Sequence, residues 1–255
     1  MRWLLTRLTL VIRDILFPPC CAACQARLSA PAGDRLCHDC LESIRLIEPP
    51  VCTVCGRPFH GPRDTGHICG QCIRNPPSFD AARSVFQFQG SVKTLIHKIK
   101  YNDDGYALRA LSSLAVEYML PDHLKPDMVI PVPLHSKRLR KRGFNQSLRL
   151  ARTIFPHIPL GMDILARTLN TKPQTELSMK ERPGNVRNAF EVASPLPEGV
   201  ETILLVDDVY TTGATVKACA KALKKAGAKE VHVFTVARTV IAHLERRQNQ
   251  LKAQS

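Results

Sequence analysis

The sequence predicts an α/β protein in which a parallel sheet, covered by helices on both faces, follows a small cysteine-rich region. Three observations predict it. From residue 79 onward, short apolar runs alternate with segments of helical periodicity, as strands joined by crossover helices do. The run Ile203, Leu204, Leu205, Val206 is apolar throughout and bounded by polar residues, which suits a strand buried on both faces. Eight of the ten cysteines fall before residue 73 in pairs spaced Cys-x2-Cys.

Taken in order, residues 1–17 carry Trp3, Leu4, Leu8, Val11, Ile12, Ile15 and Leu16, interrupted by Arg2, Arg7, Arg13 and Asp14. That pattern reads as an amphipathic helix docking on the protein's own body, with a membrane surface or a partner as the other reading. No run is long enough for a secretory core or for a membrane span of roughly 20 apolar residues.

Residues 18–76 form the cysteine region. Cys21 and Cys24, Cys37 and Cys40, Cys52 and Cys55, and Cys69 and Cys72 make four pairs, with 12 residues inside the first quartet and 13 inside the second. Two such knuckles complete a tetrahedral four-thiolate site for Zn²⁺, so the region holds two structural zinc ions. Four thiolates leave no open position, which excludes a catalytic role for the metal. Disulfides do not fit a chain without an export signal. Spacing leaves open whether consecutive knuckles pair or the first pairs with the third. Cys20 stands next to Cys21 as a bystander that could compete as ligand, and His38, His60 and His67 are not needed. Pro49 and Pro50 separate the two ribbons, and Pro76 and Pro77 end the region.

Residues 79–240 form the α/β part, with strands expected at 81–88, 128–130, 203–206 and 231–237 and helices at 92–100, 108–119 and 145–154. Residues 241–255 are a polar tail that frays. With 44% hydrophobic and 23% charged residues the chain is globular. Its formal charge of +14 falls to about +10 with eight thiolates on two zinc ions. The basic excess therefore points to an anionic partner, phosphate or nucleic acid.

The stretch at 203–215, ILLVDDVYTTGAT, carries the chemistry. An apolar strand ends in Asp207 and Asp208, a small-residue turn follows, and Thr215 opens a helix with Val216, Cys219, Ala220 and Leu223 at helical spacing. The helix start and Gly213 offer backbone N–H groups to a phosphate, helped by the hydroxyls of Thr211, Thr212 and Thr215. Two carboxylates would repel that phosphate, so they face another part of the ligand, where vicinal hydroxyls and a divalent cation fit. A ribose 5-phosphate unit has both ends. No Gly-Lys-Ser/Thr closes the loop, so it is not a Walker A site.

This stretch resembles the phosphoribosyl pyrophosphate signature of type I phosphoribosyltransferases. Pro131, Val132 and Pro133 then stand where such proteins hold pyrophosphate, followed by the basic run Lys137, Arg138, Arg140, Lys141, Arg142. Residues 174–185 (QTELSMKERPGN) read as a hood over the ligand. In this order, the two ribbons, IPVPLH, RKRGFNQ and LLVDDVYTTGAT closely resemble the ComF/GntX family over residues 21–238. The resemblance implies a cytoplasmic protein with a type I phosphoribosyltransferase-like domain, linked to natural competence and DNA utilisation. It also implies phosphoribosyl pyrophosphate with Mg²⁺ as ligand, and single-stranded DNA and competence proteins as partners. By that resemblance Asp207 and Asp208 hold the ribose hydroxyls and help seat Mg²⁺. Thr211, Thr212, Gly213, Ala214 and Thr215 anchor the 5-phosphate, and Arg138 or Arg142 neutralises the departing pyrophosphate. Three readings stay open: a transferase of unknown acceptor, a phosphoribosyl pyrophosphate sensor, and a single-stranded DNA adaptor.

Overall fold

The computed structural model describes residues 19–28, 35–59, 66–119, 124–168 and 189–240. The expectations for residues 1–17, 174–185 and 241–255 lie outside the described residues. In chain order the elements are α1 (His38–Glu42), α2 (Gly70–Arg74), β1 (Ala81–Gln87), α3 (Gly90–Asn102), α4 (Gly105–Tyr118), β2 (Met128–Pro131), α5 (Ser136–Arg142), α6 (Gln146–Ile154), β3 (Leu165–Arg167), β4 (Phe190–Val192), β5 (Thr202–Tyr210), α7 (Ala214–Lys225) and β6 (Glu230–Arg238).

Four strands form a parallel sheet in the order β1-β6-β5-β2. Alternation along β5 divides the core. Ile203 and Leu205 pack with Val216, Cys219, Ala220 and Leu223 of α7, whereas Leu204 and Val206 pack with Leu95, Ile96 and Ile99 of α3, Leu111 of α4 and Leu150 of α6. Each such fully buried aliphatic side chain contributes roughly 1.5–3 kcal/mol. Within residues 79–240 the expected strands and helices are present, with ends shifted by a few residues. The separate antiparallel pair of β3 and β4 was not expected, because three-residue strands are too short to show a period.

Local chemistry sets the element ends. In α3 the apolar residues Val92, Leu95, Ile96 and Ile99 share one face, and Asp103 ends the helix in the left-handed region at φ 51°. Asp104 then caps α4, its Oδ1 accepting from the amides of Tyr106 and Ala107 at 2.9 Å each. The basic run at 137–142 is itself a helix, α5. His135 Nδ1 accepts from the Lys137 amide at 3.1 Å, and Gly143 stops the helix at φ +84°.

The two cysteine ribbons sit on opposite faces of the sheet. Cys21, Ala22, Ala23 and Leu36 join the core under α3 and α4, while Cys52, Cys55 and Cys72 join the core under α7. Between them, residues 45–47 pair antiparallel with β1 at the sheet edge. The Gln87 amide donates to the Arg45 carbonyl and the Ile47 amide to the Val85 carbonyl, both at 2.8 Å. Among the described residues no helix is long and apolar enough to cross a membrane.

Candidate functional site

The strand order makes the site. β5 connects through α7 to β6 on one side, and β2 lies on the other, so the connections diverge between β2 and β5. Such a switch point leaves a crevice at the carboxyl ends of the strands. β2 pairs with β5 only as far as Pro131 with Val206, while β6 stays paired to Tyr210. Asp207 and Asp208 are the first residues of β5 beyond the end of β2. The strand is thus longer than the apolar run, and the two carboxylates belong to it.

An open cleft of about 190 Å³ lies here. Of the residues expected to bind ligand, Asp207, Asp208, Thr211, Gly213, Ala214, Thr215, Val132, Pro133, Arg138 and Arg142 all line it. Pro131 and Thr212 are not among the residues that line it. Pro131 is the buried last residue of β2, and the Thr212 hydroxyl accepts from the Ala214 amide at 3.4 Å. Lys100, Tyr101, Gln146, Ser147, Arg167 and Tyr210 also line the cleft and were not expected there. Periodicity placed Lys100 only as the end of a helix, and no short-range signal tells which distant element that end will face.

The two aspartates are made unlike by their neighbours. Asp208, 5% exposed, forms an ion pair with Lys100. Burial acts to raise its pKa, but the Lys100 ammonium prevails and holds the carboxyl below its ordinary value. Asp207 is pushed up to about 7, first by burial and then by the charge of Asp208. Its Oδ1 accepts from Ser147 Oγ at 2.8 Å and from the Asp208 amide at 2.9 Å, and the two carboxyl groups are within hydrogen-bond reach of each other.

Gly213 caps α7 at φ +76° with no side chain of its own; the Ala214 amide donates to the Thr212 hydroxyl, and the helix start with its positive dipole end stands at the cleft. A Cβ at Gly213 would fall 2.2 Å from the Tyr210 hydroxyl, which only glycine avoids. On the opposite wall, the Asn145 side-chain amide donates to the Val132 carbonyl at 3.0 Å and ties that loop to the start of α6.

Away from the cleft, Cys21, Cys24, Cys37 and Cys40 gather in one cluster and Cys52, Cys55, Cys69 and Cys72 in another, the sulfurs of each lying within 4.8 Å of one another. Consecutive knuckles therefore pair, and Cys20 belongs to neither quartet. All ten cysteines are unbridged. The Cys24–Cys37 and Cys55–Cys69 sulfur separations are 3.6 and 3.7 Å, close to the edge of roughly 3.8 Å that bonds of ~2.3 Å give a tetrahedral Zn–S₄ site. Within the second cluster, Cys52 Sγ accepts from the Cys69 amide at 3.2 Å. Burial works against ionisation of Cys21 and Cys52, yet backbone amides outweigh it and lower their pKa values to about 6 and about 7. Burial and the neighbouring sulfurs push Cys40 up to about 12. The first thiolate in each cluster forms readily and later ones need a cation, so both quartets fit Zn²⁺.

Comparison with known proteins agrees with this division. Residues 12–73 match the double zinc ribbon domain family and residues 101–253 the phosphoribosyl transferase domain family. The chain is 33% identical over 226 residues to Competence protein F of Haemophilus influenzae, covering 86% of this chain and 96% of that protein. It is 31% identical over 212 residues to DNA utilization protein YhgH of Salmonella typhi, covering 80% of this chain and 91% of that protein. Against Competence protein ComFC of Bacillus subtilis the identity is 29% over 218 residues, covering 81% of this chain and 85% of that protein. The chain therefore belongs to the ComF/GntX family, in which a double zinc ribbon precedes a phosphoribosyl transferase domain.

Proposed function

We propose that this chain is a cytoplasmic phosphoribosyltransferase that binds phosphoribosyl pyrophosphate with Mg²⁺ and acts in DNA uptake or utilisation, the process for which its relatives are named. One observation carries the reading. At a single switch point, two carboxylates, the helix start behind Gly213 and two arginines from α5 line the same cleft. The Asp207 and Asp208 carboxylates take the 2- and 3-hydroxyls of the ribose. The amides at 213–215 and the hydroxyls of Thr211 and Thr215 take the 5-phosphate, and Arg138 and Arg142 face the pyrophosphate. An acceptor nitrogen forms its bond to C1 as the C1–O bond breaks and pyrophosphate leaves with the electron pair. Lys100 keeps Asp208 charged beside the oxocarbenium character that develops on the ring. Mg²⁺ on Asp207 would supply charge neutralisation for the pyrophosphate. Calorimetric titration with phosphoribosyl pyrophosphate and Mg²⁺ tests binding, and pyrophosphate release with bases, nucleotides and oligonucleotides tests transfer. No heat in wild type, or full binding by Asp207→Asn, would remove the proposal.

A second reading, a single-stranded DNA adaptor, is favoured by Tyr101. The residue is 69% exposed and lines the cleft, with the Arg142 guanidinium carbon 5.8 Å from its ring centre and His97 edge-on at 5.7 Å. An aromatic face beside cations suits a stacked base. Under this reading oligonucleotide affinity falls with salt, and falls again in Tyr101→Ala or when Arg138, Arg140 and Arg142 become alanine.

A further inference from the structure

Arg238, the last residue of β6, is 3% exposed, and among the described residues it pairs with no Asp or Glu. Its NH1 group donates to the Cys55 carbonyl at 2.6 Å. Its guanidinium carbon stands 4.5 Å from the centre of the Tyr210 ring, and its Nε has no hydrogen-bond partner among the described residues. A buried cation of this kind needs a counter-charge. Four thiolates on one Zn²⁺ sum to about −2, and Cys55 is one of the four in the second cluster. Arg238 therefore lies between the second metal centre and Tyr210.

Tyr210 leads on to the cleft. It is buried, with Phe79 edge-on at 6.4 Å, and its carbonyl accepts from the Thr239 amide at 3.0 Å. Its hydroxyl occupies the space that a Cβ at Gly213 would need, so the turn at Gly213 rests directly on the ring. The ribbon end is equally tight. Gly56 follows Cys55 at φ +66°, and a Cβ there would meet the Ala82 carbonyl oxygen at 2.4 Å. The Ala82 amide donates to the Val54 carbonyl at 2.7 Å. The first ribbon docks elsewhere, through Lys98 Nζ to the Ala22 carbonyl at 2.8 Å and Ser43 to Ser91 at 2.6 Å.

We propose that Arg238 is a positioning residue that makes the loop at 211–215 depend on metal at Cys52, Cys55, Cys69 and Cys72, and not on metal at Cys21, Cys24, Cys37 and Cys40. The effect on ligand affinity rests on the phosphate-binding reading above; the effect on loop order does not. The test uses the full chain, with amide hydrogen exchange across residues 207–217 as the ligand-free readout and ribose 5-phosphate calorimetry as the second. In Cys69→Ser and Arg238→Met, exchange at 211–215 is expected to rise by at least about tenfold, whereas Cys24→Ser stays within about twofold of wild type. Arg238→Met keeps its bound zinc, and Arg238→Lys, which retains the charge, recovers part of the protection. Ribose 5-phosphate affinity drops by about tenfold in the same two variants. Equal exchange in Cys24→Ser and Cys69→Ser, or wild-type exchange in Arg238→Met, overturns the proposal. Should Cys69→Ser not fold, Arg238→Met against Arg238→Lys decides, since both keep the ligands intact. If exchange behaves as stated but wild type binds no ribose 5-phosphate, the phosphate-binding reading fails and the coupling stands.

Discussion

Lys100 and Asp208 meet as an ion pair at the cleft, the ammonium coming from the last turn of α3 and the carboxylate from β5. The pair joins the helix layer to the strand that lines the cleft. Removing the cation leaves a buried carboxylate without compensation. Lys100→Met is therefore expected to lower stability by up to about 3 kcal/mol at neutral pH. Urea denaturation of Lys100→Met, Asp208→Asn and the double variant checks this, because the double variant should recover part of the loss.

The raised pKa of Asp207 gives a pH dependence with a definite sign. Its folded value of about 7 lies above the ordinary carboxylate value of ~3.9. The folded state therefore keeps the proton longer, and the stability this brings is present below about pH 4 and lost as pH rises through about 7. Asp207→Asn cannot ionise, so its stability should fall less steeply between pH 5 and 8, as urea midpoints at each pH would record. Under the proposed function, binding of phosphoribosyl pyrophosphate with Mg²⁺ uses the Asp207 carboxylate, so it should run the other way and strengthen from pH 6 to 8. A flat calorimetric profile would contradict that.

Gly213→Ala separates steric conflict from backbone strain. Gly199 also has positive φ, at +80°, but a Cβ there meets nothing within 4 Å. Gly199→Ala should cost about 1 kcal/mol, the left-handed penalty alone. Gly213→Ala adds the collision with Tyr210 and should cost about 1–3 kcal/mol more, with loss of ribose 5-phosphate binding. Paired urea titrations check the difference.

The two cysteine clusters predict about two zinc ions per chain, read by metal analysis of the purified protein. Because Cys21 and Cys52 belong to the two separate halves of the core, a strong chelator should lower the thermal midpoint of the whole chain and expose thiols to a colorimetric reagent. An unchanged midpoint after zinc loss would mean that the ribbons fold apart from the sheet.

Much of this was legible because it is local. Cys-x2-Cys spacing, the apolar run at 203–206 and the helical spacing of Val216, Cys219, Ala220 and Leu223 each report on neighbours a few residues away. The acidic pair and the threonine turn were legible as a unit for the same reason. The partners from elsewhere were not. Lys100 reaches Asp208, Ser147 reaches Asp207 and Tyr101 joins the cleft only because α3 and α6 pack beside the end of β5, and no periodicity encodes that packing. Arg238 lies one residue past the strand expected at 231–237, and nothing in VARTV reveals a knuckle 183 residues upstream.

The segment at 45–47 has a consequence for dissecting the protein. Phe86 on β1 is wholly enclosed, and its strand's outer amides and carbonyls at Val85 and Gln87 are satisfied by a stretch lying before the α/β half begins. A fragment started near residue 79 would present that strand as an open template for pairing with other copies of itself. The amino-terminal quarter therefore acts as a selvedge, and a fragment without it should be recovered as insoluble aggregate.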